Sequence, residues 1–190
     1  MQQSYDVLFA SSNKNKYSEA GRILDSLGIK AGYYEARLPE VQSDSLEEIA
    51  EHKARAAFDL CRHPVLAEDD GLYIDCLGGF PGPYSAYVQG TIGNEGILRL
   101  VGSERGAAFR SAVAYRDDTG GAVFAGEVRG EIAGDQRGKG WGYDPVFVPE
   151  GGATTFAEMD GKDAVSHRYR ALSSFAAWFG ERGAAAGPAS

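Results

Sequence analysis

Glu68-Asp69-Asp70 ends an apolar run, Pro64-Val65-Leu66-Ala67, and three successive carboxylates repel one another unless cations meet them. A hard ion such as Mg²⁺ suits such a cluster, because it takes one or two carboxylates together with substrate phosphates. A solvated acidic turn is the plainer reading of the same residues. Two cations stand where helical periodicity asks for apolar side chains. Leu46, Ile49, Ala50, Ala54, Ala57 and Cys61 define one helix face at about 100° per residue, and Lys53 falls inside it. An ammonium there either snorkels to the rim or meets an anion, since burying it unpaired is expensive. Glu40 and the acidic triplet are the nearby carboxylates, if the fold brings them together. Arg168 repeats the anomaly on the last helix, within a stripe of Val165, Leu172, Phe175, Ala176 and Phe179. With Lys162 and His167 it makes a helix start able to hold an anion or a purine edge; an arginine bonded to a neighbouring loop is the alternative.

Two loops carry the remaining candidates. Ser11-Ser12-Asn13-Lys14-Asn15-Lys16 follows an apolar run and precedes a helical pattern, where backbone N–H groups and lysines cradle phosphates. It is not a Walker loop, because neither GxxxxGK[ST] nor GxGxxG occurs. Gly140-Trp141-Gly142-Tyr143-Asp144-Pro145 sets two aromatics in a flexible loop. They either stack on a planar base, with Asp144 accepting ring N–H bonds, or pack structurally.

The pattern along the chain predicts the elements that must position these groups. Tyr5–Ala10 reads as a strand, and Lys16–Leu27 as a helix stopped by Gly28. A second helix starts near Ser45, whose Ser-x-x-Glu pattern is a capping box, and runs to about Cys61. Pro64–Ala67 and Leu72–Cys76 read as two strands around the acidic triplet, followed by a Gly/Pro loop over 78–84. Asn94–Val101 is a short helix, and Phe109–Arg116 with Ala122–Ile132 a β-hairpin. Asp144–Val148 follows, then a helix from Lys162 to Phe179 capped by Asp160. Strands mixed with helices imply an α/β fold around a mixed twisted sheet with flanking helices. The expected organisation is a single domain over 1–182 and a flexible tail over 183–190.

The whole sequence sets bounds. A chain of 190 residues is long enough for one substantial core, and a net charge of −8 disfavours polymeric nucleic acid and anionic membranes. No apolar stretch approaches the roughly 20 residues that span a bilayer, and the start lacks a basic segment before a long apolar one. The expected location is therefore the cytoplasm, with Cys61 and Cys76 as buried thiols rather than a disulfide. His52, His63 and His167 are too scattered for a histidine-rich zinc site.

Taken in order, the signals resemble the inosine triphosphate pyrophosphatase family, which hydrolyses non-canonical purine nucleoside triphosphates. The matching stretches are SSNKNK (11–16), LPE (38–40), EIAEHKA (48–54), LAEDDGLYIDCLGGFPGPYSA (66–86), GWGYDPVF (140–147) and FAEMDGKDAVSHRYRAL (156–172). The resemblance implies an elongated two-lobed fold with a substrate cleft between lobes, a homodimer, and Mg²⁺-dependent conversion of ITP, dITP and XTP to monophosphate and pyrophosphate. Carried over, it makes Ser11, Ser12, Asn13, Lys14, Asn15 and Lys16 the triphosphate loop, and Lys53 a lysine that reaches the phosphates. Glu40 and Asp69 match metal-binding carboxylates, Asp69 also the proton acceptor. Trp141, Gly142, Tyr143 and Asp144 match the base loop, Lys162 a substrate lysine, and His167-Arg168 the purine-recognising pair. Asp70 stands where relatives carry Ser or Thr near the substrate. Tyr87 stands close to where relatives place a cation. The rivals are a Maf-like pyrophosphatase, which expects an SPRR-like first loop, and a catalytically silent nucleotide-binding protein.

Overall fold

The computed structural model describes residues 4–185. Seven strands form one mixed sheet: β1 (Val7–Ala10), β2 (Ala31–Tyr34), β3 (Val65–Ile74), β4 (Pro81–Gly82), β5 (Gly106–Arg116), β6 (Gly121–Ile132) and β7 (Phe147–Pro149). Five helices accompany them: α1 (Lys14–Ser26), α2 (Leu46–Cys61), α3 (Ser85–Thr91), α4 (Gly93–Leu100) and α5 (His167–Ala185). The strand order is β2-β1-β3-β5-β6-β7, with β4 added to β3. β1 pairs in parallel with β2 and β3, whereas β3, β5, β6 and β7 are antiparallel. The α/β class expected from the sequence is the class observed.

The central difference from expectation is β3. It is one strand of 10 residues, and the acidic triplet lies inside it rather than in a turn. Its register with β5 is unbroken from Val65↔Arg116 to Ile74↔Ala107. Side chains on a strand alternate faces, so Leu66, Glu68, Asp70 and Leu72 share one face while Ala67, Asp69, Gly71 and Tyr73 share the other. On the first face, Leu66 packs with Val113, Tyr115 and residues of α1 and α5. On the second, Ala67 packs with Ala50 and Ala54 of α2. A separate cluster around Leu72, Ile74, Phe109, Val128, Phe147 and Phe156 gathers at the far end of the long strands. The triplet lies between the two ends.

Two glycines permit the close approaches this arrangement needs. A Cβ on Gly71 would lie 2.3 Å from the Gly82 carbonyl oxygen, so only glycine lets the 79–85 loop fold onto β3. A Cβ on Gly126 would lie 2.2 Å from the His167 carbonyl oxygen, so Gly126 lets the start of α5 rest on the sheet.

Other corrections are local. β2 and α3 were not anticipated, and the segment 78–84, expected to be loop throughout, contains the two-residue β4 paired with β3. Asp144–Val146 is a 3₁₀ turn leading into β7. Residues Lys162–Ala164 form another such turn, and α5 begins only at His167. Ser166, not Asp160, holds the start of α5: its Oγ accepts from the Tyr169 N–H. Val165 is 43% exposed and does not belong to the buried stripe. Cys61 is half-buried and Cys76 exposed, both as free thiols. The tail expected over 183–190 falls, beyond Ala185, outside the described residues.

Candidate active site

Strand parity divides the triplet between two helices. Asp69 faces α2, and Lys53 Nζ donates to its Oδ1 at 2.7 Å. The same ammonium lies 2.7 Å from Glu40 Oε1, on the loop between β2 and α2. Lys53 therefore meets anions; it does not snorkel. Glu68 and Asp70 face α5, where Arg168 has no exposed surface. Arg168 Nε donates to both Glu68 oxygens at 2.9 Å, and Nη2 donates to Asp70 Oδ2 at 2.5 Å. Ser111, across from Asp70 on β5, donates to Glu68 Oε1 at 2.7 Å. Lys16 Nζ lies 2.5 Å from Asp70 Oδ1. The triplet is thus neutralised by the protein's own cations.

Lys16 is placed by the turn between β1 and α1. Asn13 caps α1, its Oδ1 accepting from the N–H groups of Asn15 and Lys16, and Ser11 Oγ accepts from the Asn13 N–H. That geometry aims the positive end of α1 at the same space as Lys16. Lys14 is exposed and lies off the cavity wall. One turn further, Glu19 is 2% exposed. Its Oε1 lies 2.8 Å from Arg168 Nη1, and its Oε2 accepts from Lys162 Nζ at 3.2 Å. Lys162 also donates to Asp144 Oδ2 at 2.6 Å. Sequence reasoning missed Glu19, although it sits in the apolar stripe with Ala20, Ile23 and Leu24, the same misfit that drew attention to Lys53.

The 140–145 loop splits its two aromatics. Tyr143 is buried, and its hydroxyl donates to the Ser85 carbonyl at 3.0 Å. Trp141 stays on the cavity wall, its ring centroid 5.6 Å from Lys162 Nζ and 5.5 Å from the Arg168 guanidinium carbon. Two carboxamides unnoticed in the sequence hold the loop: Asn94 Nδ2 and Gln89 Nε2 both donate to the Gly142 carbonyl, at 3.1 and 3.2 Å. His167 is buried with its ring stacked on Phe109 at 4.5 Å, and neither ring nitrogen has a hydrogen-bond partner.

These residues converge on one cavity of about 1060 Å³. Ser11, Ser12, Asn13, Asn15, Lys16, Glu40, Lys53, Asp69, Asp70, Trp141, Gly142, Tyr143, Asp144, Lys162, His167 and Arg168 all line it, and Tyr87 stands on its wall. Its electrostatics follow from burial set against pairing. Burial raises the Asp69 carboxyl from its ordinary value, outweighing Lys16 and Lys53. Asp144 is raised in the same way against Lys162. For Asp70, burial works against ionisation, yet Lys16, His167 and Arg168 hold it well below its ordinary value. Burial opposes the charge on Lys16 too, but Asp70, Glu68 and Asp69 outweigh it and the ammonium is strengthened.

The model of the Ham1 family matches residues 7–178, nearly the whole fold and every element of this cavity. The chain belongs to the Ham1 family. The family resemblance drawn from the motifs is borne out. Among Ham1 relatives, the dITP/XTP pyrophosphatase of Methanopyrus kandleri is 52% identical over 179 residues, covering 91% of this chain and 95% of that protein. The dITP/XTP pyrophosphatase of Thermococcus kodakarensis is 44% identical, covering 92% and 97%. The solved HAM1 protein from Coxiella burnetii superposes with a TM-score of 0.79 at 31% identity, covering 94% of this chain and all of that one.

Proposed function

We propose that this Ham1 protein hydrolyses dITP, ITP and XTP to the nucleoside monophosphate and pyrophosphate, removing non-canonical purines from the nucleotide pool. The observation that carries this reading is the convergence of Lys16, Lys53, Arg168 and Asp69 on a single cavity. The similarity to proteins named dITP/XTP pyrophosphatase supports the substrate class.

The donor set fits Mg²⁺. Oxygens of Glu40 and Asp69 approach the same ammonium at 2.7 Å each, so both can face one cation. Among the described residues no group of three or more metal-ligating side chains is assembled, which suits an ion completed by substrate phosphates and water. Bound there, Mg²⁺ would offset phosphate charge and acidify water.

The protein's own groups supply the rest. The start of α1 and Lys16 hold the distal phosphates, and Lys53, drawn away from the two carboxylates, adds a second ammonium. Asp69 orients a water toward the α-phosphorus and takes its proton. The new O–P bond forms at the α-phosphorus as the bridge to the β-phosphate breaks, and pyrophosphate leaves against Lys16 and Lys53. Catalysis rests on position and charge, with no covalent intermediate.

The base stacks against Trp141. His167, its Nε2 3.7 Å from Asp70 Oδ2 and its Nδ1 without a partner, faces the base edge, and Lys162 and Asp144 stand beside it. A site that donates to the 6-oxo group leaves buried donors facing the amino group of adenine, a mismatch worth up to about 10⁴-fold. The two core clusters at opposite ends of the long strands support reading the molecule as two lobes with this cavity between them. The working form is a cytoplasmic homodimer. The test is pyrophosphate release from dITP, ITP, XTP, GTP, ATP and dUTP with and without Mg²⁺. Release from the first three with Mg²⁺ is expected. Binding without turnover would favour the silent nucleotide-binding reading, and turnover of dUTP alone the Maf-like one.

A further inference from the structure

We propose that Asp70 is an internal counter-anion of the cavity: it holds Lys16 and Arg168 while no ligand is bound and yields Lys16 to an arriving triphosphate, competing with substrate instead of contacting it. The proposal rests on the reading of Lys16 as a phosphate-binding lysine. Asp70 Oδ1 lies 2.5 Å from Lys16 Nζ, and Oδ2 accepts from Arg168 Nη2 at 2.5 Å. One carboxylate thus bridges the helix that follows the phosphate loop and the helix that carries the purine-side pair. Lys16 has no other ion-pair partner among the described residues, so any anion that reaches it must share or displace Asp70. Arg168, by contrast, keeps Glu68 and Glu19 when Asp70 lets go. The backbone of β3 fixes Asp70 in place, and strand parity points it to this face. A carboxylate has no proton to give a phosphate oxygen, so its direct effect on a triphosphate is repulsive. Asp70 therefore preorganises the cations and weakens the binding they provide.

A substrate-contacting residue and an internal competitor predict opposite signs. Asp70→Asn keeps an acceptor for Arg168 and removes the charge; Asp70→Ser, smaller, is the second variant. With divalent metal chelated, calorimetric titration of inorganic tripolyphosphate is expected to show about tenfold tighter binding in the variants, with a steeper salt dependence. With Mg²⁺, KM for XTP should fall while kcat does not rise, because pyrophosphate is held longer; a merely structural loss would not tighten KM. Unchanged or weaker tripolyphosphate binding in a cooperatively melting variant overturns the proposal. In the unaltered protein, the Asp70 side-chain ¹³C carboxyl resonance should move as tripolyphosphate is added, and a resonance that stays put also overturns it. Failure here leaves XTP hydrolysis by the unaltered enzyme intact, whereas absent hydrolysis alongside tight tripolyphosphate binding strikes the proposed function alone.

Discussion

Asp69 and Lys53 share one short contact, yet their removal should read out differently. Asp69→Asn keeps the shape of the side chain and loses the proton acceptor, so turnover of XTP should fall by at least about 10²-fold with the fold intact; a rate near that of the unaltered enzyme would remove Asp69 from the chemistry. Lys53→Met leaves a buried carboxylate without its closest cation. The structure therefore predicts a loss of stability, on the order of 1–3 kcal/mol in urea unfolding, together with weaker triphosphate binding. A desolvated, unpaired lysine would instead have predicted a gain. Glu19 gives a pH prediction. Burial works against its ionisation, but Arg168, Lys162 and His167 hold its carboxyl below the ordinary value of 4.5. The folded protein then binds that proton less tightly than the unfolded chain does. Its contribution to stability is present above the ordinary value and disappears as pH falls through the lower folded value. The melting-temperature gap between the unaltered protein and Glu19→Gln should accordingly narrow below about pH 4. Lys53 and Arg168 were legible in the sequence because a charge on an apolar face is a visible misfit. Glu40 and the acidic triplet were visible as carboxylates Lys53 could meet, but which cation takes which carboxylate was not legible, since pairing is decided by parity on a strand that only the fold reveals.

At the scale of elements, charge misled the reading of β3. Carboxylates disfavour strands, so the pattern broke at Glu68 and resumed at Leu72. The ladder to β5 continues because each carboxylate finds a cation or hydroxyl on its own face. The strand at β1, the helix over 46–61 and the hairpin were legible, because each is long or clearly punctuated. β2, four residues reading Ala-Gly-Tyr-Tyr, lacks alternation, and α3 has no side-chain cap to announce it. The seating of α5 is testable at Gly126. Gly126→Ala should cost about 1–3 kcal/mol in urea unfolding and reduce activity, since α5 must rise from the sheet and carry Arg168 away from Glu68. A variant with unchanged midpoint would show that the contact yields without strain. Asn94→Leu removes one of two bonds to the Gly142 carbonyl. It should raise KM for XTP more than it lowers kcat, as a loosened base loop binds less well.

Over the whole molecule, an acidic chain assembles local positive charge by distributing it. Lys16, Lys53, Lys162 and Arg168 come from two helices, a 3₁₀ turn and a third helix, and each is held by carboxylates that the sheet and its loops present. On the proposed function, substrate binding would be an exchange of ions: the lysines would turn from these carboxylates to phosphates, and Glu40 and Asp69 would be left free to hold a divalent cation. No described helix is long and apolar enough to cross a membrane. The most direct measurement is hydrolysis of XTP with Mg²⁺ in ¹⁸O-labelled water, followed by mass analysis of both products. The account predicts one labelled oxygen in the nucleoside monophosphate and none in pyrophosphate, because water adds at the α-phosphorus opposite the leaving pyrophosphate. Label in pyrophosphate, or release of inorganic phosphate with a nucleoside diphosphate, would contradict it.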